Sequence, residues 1–242
     1  MSTTSRKRVV KGPSFRVGDV FPTSDPHRVR LARFLVAMQP LVLNGRLLHM
    51  MPSEDDRSPA DDETVRGLLV QSLSATFEAL KAFKSIDRPG GISAQALATA
   101  EVADAHARLR AVLKDSKLMD QLREARNQVV DHVDESALTP VLDRIADQRV
   151  PVFLGTGKET TEDTALPIID KLAFGALRDR IPNFDNLVSN RLGEIQSDLW
   201  KVAHSVLGDV VSDALATKPD VLSREEHPQS TPGVGRPGFG PS

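Results

Sequence analysis

The fold is decided by the stretch from Ser58 to Gly91, SPADDETVRGLLVQSLSATFEALKAFKSIDRPGG. Ser58-Pro59 followed by three acidic residues is typical of a helix N-terminus, because serine caps the first turn, proline suits its first position and acids oppose the macrodipole. Arg88-Pro89-Gly90-Gly91 is a strong termination signal. Between these signals, apolar side chains recur every three or four residues, which predicts a long amphipathic helix: Val65, Leu69, Leu73, Phe77, Leu80 and Phe83.

Similar patterns on both sides of this stretch predict further helices. Asp25-Pro26 is a cap followed by a first-turn proline and opens a helix that Pro40 is expected to kink or divide. Periodicity resumes from Ser93 to about Val133, and Asp115-Ser116 leaves open whether this is one helix or two. Further helices are predicted over about 139–147, 165–180 and 184–216. The last would be a rod roughly 50 Å long.

The segments that lack helical periodicity set the domain boundaries. Residues 1–24 are basic and irregular, and residues 218–242 are rich in Pro, Gly and Ser, so both are predicted to be flexible or disordered. A short apolar run over 149–154, closed by Gly155-Thr-Gly157, predicts a small hairpin. We therefore expect an all-α, up-and-down multi-helix bundle over residues 25–217, with one β-hairpin-like insertion and disordered termini.

Composition excludes several classes of protein. Cysteine is absent, so disulfides and thiolate metal sites are excluded. No apolar run is long enough to span a bilayer, and the basic N-terminus lacks the apolar region of a secretory signal, which predicts a cytoplasmic protein. The net charge of −2 argues against a general nucleic-acid coat. The basic arm before residue 34 could contact phosphates, although a solvated tail is the simpler interpretation.

The residues that carry chemistry lie at the end of the third helical region, in Arg126-Asn-Gln-Val-Val-Asp-His132. An arginine supplies a permanent cation, Asn127 supplies an amide, and histidine titrates near neutral pH. A metal-free ribonuclease needs such groups, because the cation holds the charge on the phosphorane and the imidazole moves a proton. No His/Asp/Glu triplet has ligand-like spacing, so neither a metal nor another cofactor is expected.

The stretch from Leu122 to Asp134 resembles the motif helix of HEPN-domain proteins, in particular those of abortive-infection systems. In those proteins an Arg-Asn pair, an aliphatic pair and a histidine occur in the same order. The resemblance implies a metal-independent endoribonuclease, acting as a toxin or antiphage effector on cellular RNA. It implies catalytic roles for Arg126 and His132, a substrate-binding role for Asn127, and an active site completed by a homodimer. An antitoxin or another partner protein would fit such a role.

Two other interpretations stay open. Residues six apart point roughly 120° away from each other on an ideal helix, so Arg126 and His132 do not share one face. Arg126 could simply form a surface ion pair with Glu124 or Asp131, with His132 in a helix cap. The chain would then be a non-catalytic helical module that binds a partner protein or a nucleotide, or a plain scaffold.

Overall fold

The computed structural model describes residues 9–15, 17–130, 140–144, 167–217 and 222–228, and these are mostly helical. The prediction of an all-α bundle is therefore confirmed, whereas the hairpin predicted over 149–158 lies outside the described residues. The elements in chain order are β1 (Val9–Phe15), α1 (Val17–Val20), α2 (Pro26–Met50), α3 (Pro59–Ile86), α4 (Ala100–Lys114), α5 (Ser116–Val130), α6 (Pro167–Arg180), α7 (Phe184–Asn186), α8 (Leu192–Thr217) and β2 (Leu222–Pro228). Short helical turns occupy Glu54–Asp56 and residues 140–144.

Helix α3 begins and ends where the sequence predicts. The Ser58 hydroxyl accepts a hydrogen bond from the Asp61 backbone N–H, and the Asp61 carboxylate accepts one from the Ser58 backbone N–H, which completes a capping box. The chain turns sharply after Ile86. A Cβ at Gly91 would lie 2.0 Å from the Ile86 carbonyl oxygen, so the turn requires glycine there.

Helix α3 is also the centre of the core, since it packs against α2, α5, α6 and α8. Its polar residues in the core are paired. The buried Thr76 hydroxyl donates to the Ser72 carbonyl oxygen at 2.7 Å and accepts from Gln196 of α8 at 3.0 Å. The Asn44 amide donates to the Ser72 hydroxyl at 3.2 Å. These bonds join α2, α3 and α8 without leaving the buried hydroxyls unsatisfied.

Pro40 does not divide the first predicted helix, because α2 continues from Pro26 to Met50. The missing N–H of Pro40 leaves the Val36 carbonyl without its helical partner. Both residues are exposed, so water can satisfy that carbonyl and the helix is not forced to end. The predicted cap is confirmed, since the Asp25 carboxylate accepts from the His27 and Arg28 backbone N–H groups.

The third helical region is two helices, which resolves the alternative at Asp115. The backbone N–H of Asp115 donates to the Ala111 and Val112 carbonyl oxygens at the end of α4. The Asp115 carboxylate accepts a hydrogen bond from the Leu118 N–H at the start of α5. The helix also starts later than predicted. Ser93 opens a set of turns, and α4 begins at Ala100, where the Thr99 hydroxyl caps Val102.

The rod predicted over 184–216 is interrupted. Helix α7 passes into a π-helical turn, Leu187–Arg191, before α8 begins. The buried residues on either side of this turn are Leu187 and Leu192, five positions apart, whereas an α-helix would space them by three or four. Helix α8 alone has 26 residues and is about 39 Å long.

The segments predicted to be irregular contain regular structure over part of their length. Strands β1 and β2 pair antiparallel, with Val9 opposite Pro228 and Phe15 opposite Leu222. Helix α1 follows β1, and its Val20 is buried in the core. Tertiary pairing of two segments that lack helical periodicity is a long-range effect, which composition alone does not reveal.

Candidate functional site

Helix α5 positions the arginine and the amide of the motif. Its inner face consists of Leu118, Leu122 and Ala125, which are buried in the core. Arg126 follows directly and lies at the edge of this face, with about a third of its side chain exposed. Its Nε lies 3.5 Å from a carboxylate oxygen of Glu78 on α3. The side chain of Arg126 is thereby drawn to the α3 side of α5.

Asn127 is exposed and contacts its neighbour, since Nη1 of Arg126 donates to the Asn127 side-chain oxygen at 3.3 Å. The structure therefore brings together Arg126 and Asn127. His132, the third predicted site residue, lies outside the described residues, and so does Asp131.

The surroundings of Arg126 combine both signs of charge. Glu78 also contacts Lys81, at 3.3 Å, so one carboxylate lies between two cations. On the other side of α5, Glu124 pairs with Arg180 of α6 at 3.3 Å. A surface ion pair of Arg126 thus exists, and its partner is Glu78 of α3. A phosphate bound here would have to share the guanidinium with Glu78.

A second candidate site is a groove between α2 and α8 beside Trp200, which is half exposed. The groove encloses about 340 Å³. Its apolar lining comes from α2 and from Trp200, and Gly45 leaves the groove open because no atom lies within 4 Å of where a Cβ would stand. The polar residues at the groove are Arg46, His49 and Gln196.

A third, larger cavity of about 570 Å³ lies between α4 and α8. Arg108 donates two hydrogen bonds, of 2.8 and 2.7 Å, to the nearly buried carboxylate of Asp198, and this carboxylate raises the pKa of the guanidinium. Nearby, Lys201 pairs with Glu101 at 3.0 Å. Arg108 and Lys201 are each paired with a carboxylate across the two helices, and we interpret these two pairs as contacts that hold α4 on α8.

Trp200 is not among the site residues that the sequence motifs predict. The sequence nevertheless contains a signal for it, since the apolar stripe of the last helix passes through Ile195, Leu199 and Val202, and the only tryptophan of the chain is not part of it. A large aromatic side chain away from the buried stripe of an amphipathic helix is the sequence signal that points to this groove.

Neither a metal cluster nor a membrane span occurs in the part of the chain that the structure describes. Those residues contain no group of three or more His, Asp or Glu side chains that could hold a metal ion. None of their helices is both long and apolar enough to cross a membrane. No family model, curated protein or solved structure matches the chain.

Proposed function

We propose that the chain is a metal-independent endoribonuclease, acting as a toxin or antiphage effector on cellular RNA. The observation that carries the proposal is the contact between Arg126 and Asn127 near the end of α5. Arg126 is a permanent cation with about a third of its side chain exposed, so its guanidinium can hold the charge of a phosphate. The order of the motif residues in the sequence adds His132 as the group that transfers protons.

The reaction that these groups support uses the nucleophile of the RNA itself. The imidazole of His132 takes the proton of the 2′-OH, and the 2′-oxygen forms a bond to phosphorus as the bond to the 5′-oxygen breaks. The protonated imidazole then gives its proton to the leaving 5′-oxygen, directly or through a water molecule, so the products are a 2′,3′-cyclic phosphate and a 5′-hydroxyl. Arg126 stabilises the additional negative charge on the phosphorane, and Asn127 orients the phosphate. DNA has no 2′-OH and is not cut.

The proposal includes a homodimer, because residues six apart in the sequence, as Arg126 and His132 are, would point in different directions on an ideal helix. Motifs from two protomers that face each other would supply both groups to one phosphate. Co-expressing Arg126→Ala with His132→Ala should then restore part of the activity. In a mixed dimer, Arg126 of one protomer and His132 of the other still form one intact site.

The direct test compares wild type with Arg126→Ala and His132→Ala on a defined RNA and its DNA counterpart. Arg123→Ala is the matched control, because Arg123 is an exposed cation on the same helix that pairs locally with Asp120. We expect Arg123→Ala to cut RNA as wild type does, leaving cyclic phosphate ends, and the two motif variants to lose at least 100-fold in rate, about the contribution of one positioned acid–base group. Equal cleavage by all four proteins would refute the proposal.

The groove beside Trp200 favours a second function, the binding of a nucleotide without cleavage. A half-exposed indole offers a stacking face for a base, and Arg46 offers charge for a phosphate. Because Trp200 is the only tryptophan, its fluorescence reports on this groove alone. Titration with a nucleoside monophosphate should quench it, and Arg46→Ala should weaken the effect, whereas Arg123→Ala should not. A signal that no nucleotide changes would exclude this function.

A further inference from the structure

Helix α2 carries apolar side chains on two opposite faces. The inner face, which includes Leu31, Phe34 and Met38, is buried in the core. At about 100° per residue, Val36 and Leu43 lie only about 20° apart, and Phe34 lies about 160° from Val36. The second apolar face, which we call the outer stripe, is exposed and consists of Val29, Val36, Leu43, Leu47 and Met50.

The spacing of the outer stripe is that of a helix-pairing seam. Four of its residues are spaced seven apart along the helix: Val29, Val36, Leu43 and Met50. Leu47 lies four residues after Leu43 and three before Met50. The intermediate positions of the same repeat are Arg33 and Pro40, both exposed. A seam with alternating steps of three and four residues, about 30 Å long, is what a second helix packs along.

The charged side chains of α2 itself are all of one sign. Helix α2 contains no Asp or Glu. Arg28 is held against α8, where it donates to the Val210 carbonyl oxygen and pairs with Asp213. Arg33 and Arg46 are exposed, and in the part of the chain that the structure describes neither has an ion-pair partner. Arg33, at a position of the repeat itself, and Arg46, beside it, favour an acidic partner and disfavour a second copy of α2, because like charges would then meet.

We infer that the outer stripe of α2 binds an amphipathic helix of another protein, whose apolar seam is flanked by acidic residues. Binding would bury the five apolar side chains of the stripe and pair Arg33 and Arg46 with carboxylates. This surface is on a different helix from the Arg126 motif, so the inference does not depend on the ribonuclease proposal.

The test uses two fluorescein-labelled synthetic peptides, each long enough to cover the stripe, with the same leucine seam. One has glutamate at the flanking positions and the other has lysine. In fluorescence anisotropy with the full chain at about 0.1 M salt, we expect the acidic peptide to bind at least tenfold more tightly than its basic twin. Val36→Glu and Leu43→Glu should each weaken binding of the acidic peptide at least tenfold. Leu142→Glu is the matched control, because Leu142 is an exposed leucine outside α2, and it should bind as wild type does.

Circular dichroism of each variant shows whether it is folded, and the exposed positions of the substitutions should leave the fold intact. Equal binding of the two peptides, or binding of neither, would overturn the inference. So would self-association of the wild type that Leu43→Glu abolishes, since a second copy would then occupy the stripe. Binding to anionic vesicles without binding to the acidic peptide would also overturn it and assign the stripe to a lipid surface instead.

Discussion

Two substitutions two residues apart on α2 should differ greatly in their effect on stability. Phe34 is fully buried, and its ring centroid lies 6.0 Å from that of Phe83. Truncation to alanine is expected to lower the free energy of unfolding by about 3–5 kcal/mol, because the cost of the cavity adds to the lost transfer free energy of the buried ring. Val36 is 67% exposed, so only about a third of its side chain is out of water. At about 0.8 kcal/mol per buried methylene, Val36→Ala loses about 0.5 kcal/mol, which the better helix propensity of alanine offsets.

Urea unfolding, followed by far-ultraviolet circular dichroism, measures both changes. A domain of this size is typically stable by about 5–15 kcal/mol, so Phe34→Ala removes a large fraction of the total. If that variant does not fold, Phe34→Leu keeps most of the volume and should lose less than about 1.5 kcal/mol. A loss above about 1.5 kcal/mol for Val36→Ala would refute the reasoning, because it would mean that the outer stripe is covered in the folded protein.

Three further predictions concern the site, a turn and a cap. Glu78→Gln removes the carboxylate that competes with a phosphate for Arg126, so RNA should bind roughly fivefold more tightly in fluorescence anisotropy. The gain should vanish when Arg126→Ala is added. Unchanged affinity would argue against a phosphate site here. Gly91→Ala should lower the melting temperature strongly, because its Cβ would overlap a backbone carbonyl oxygen, and an unchanged temperature would contradict the described turn. Hydrogen bonds from the serine at the helix cap hold the pKa of Asp61 below its ordinary value. The ionised Asp61 carboxylate contributes its full share to the free energy of unfolding above about pH 4, and this share is lost as the pH falls through the lowered native pKa. The acid unfolding curves of wild type and Asp61→Asn should therefore converge at low pH.

Local signals in the sequence are sufficient where the structure depends on neighbouring residues. The caps at Asp25 and Ser58 involve contacts within three positions, and both follow from the sequence. The break at Asp115 does not, because its side chain could either continue a helix or cap a new one. The expectation that Pro40 kinks or divides α2 is wrong about the division, because the effect of the proline depends on which face of the helix it occupies, and packing against α3 decides that face.

The candidate site is less predictable, for a physical reason. Arg126 forms an ion pair with Glu78, which lies 48 positions earlier in the chain, so no local pattern could reveal that contact. The outer stripe of α2 is hidden in the sequence as well. A helix that is apolar on two faces has no single polar face opposite a single apolar one. Periodicity therefore cannot separate the residues that are buried in this chain from those that remain exposed.

The π-helical turn before α8 has a consequence for how the chain can change length. Leu187 and Leu192 are both buried, and the exposed residues between them include Ser189 and Asn190. Deleting Ser189 would bring the two leucines to the four-residue spacing of an ordinary helix, with their side chains still directed inwards. We therefore expect this short junction to tolerate the loss of one residue, and length differences among homologues to occur here.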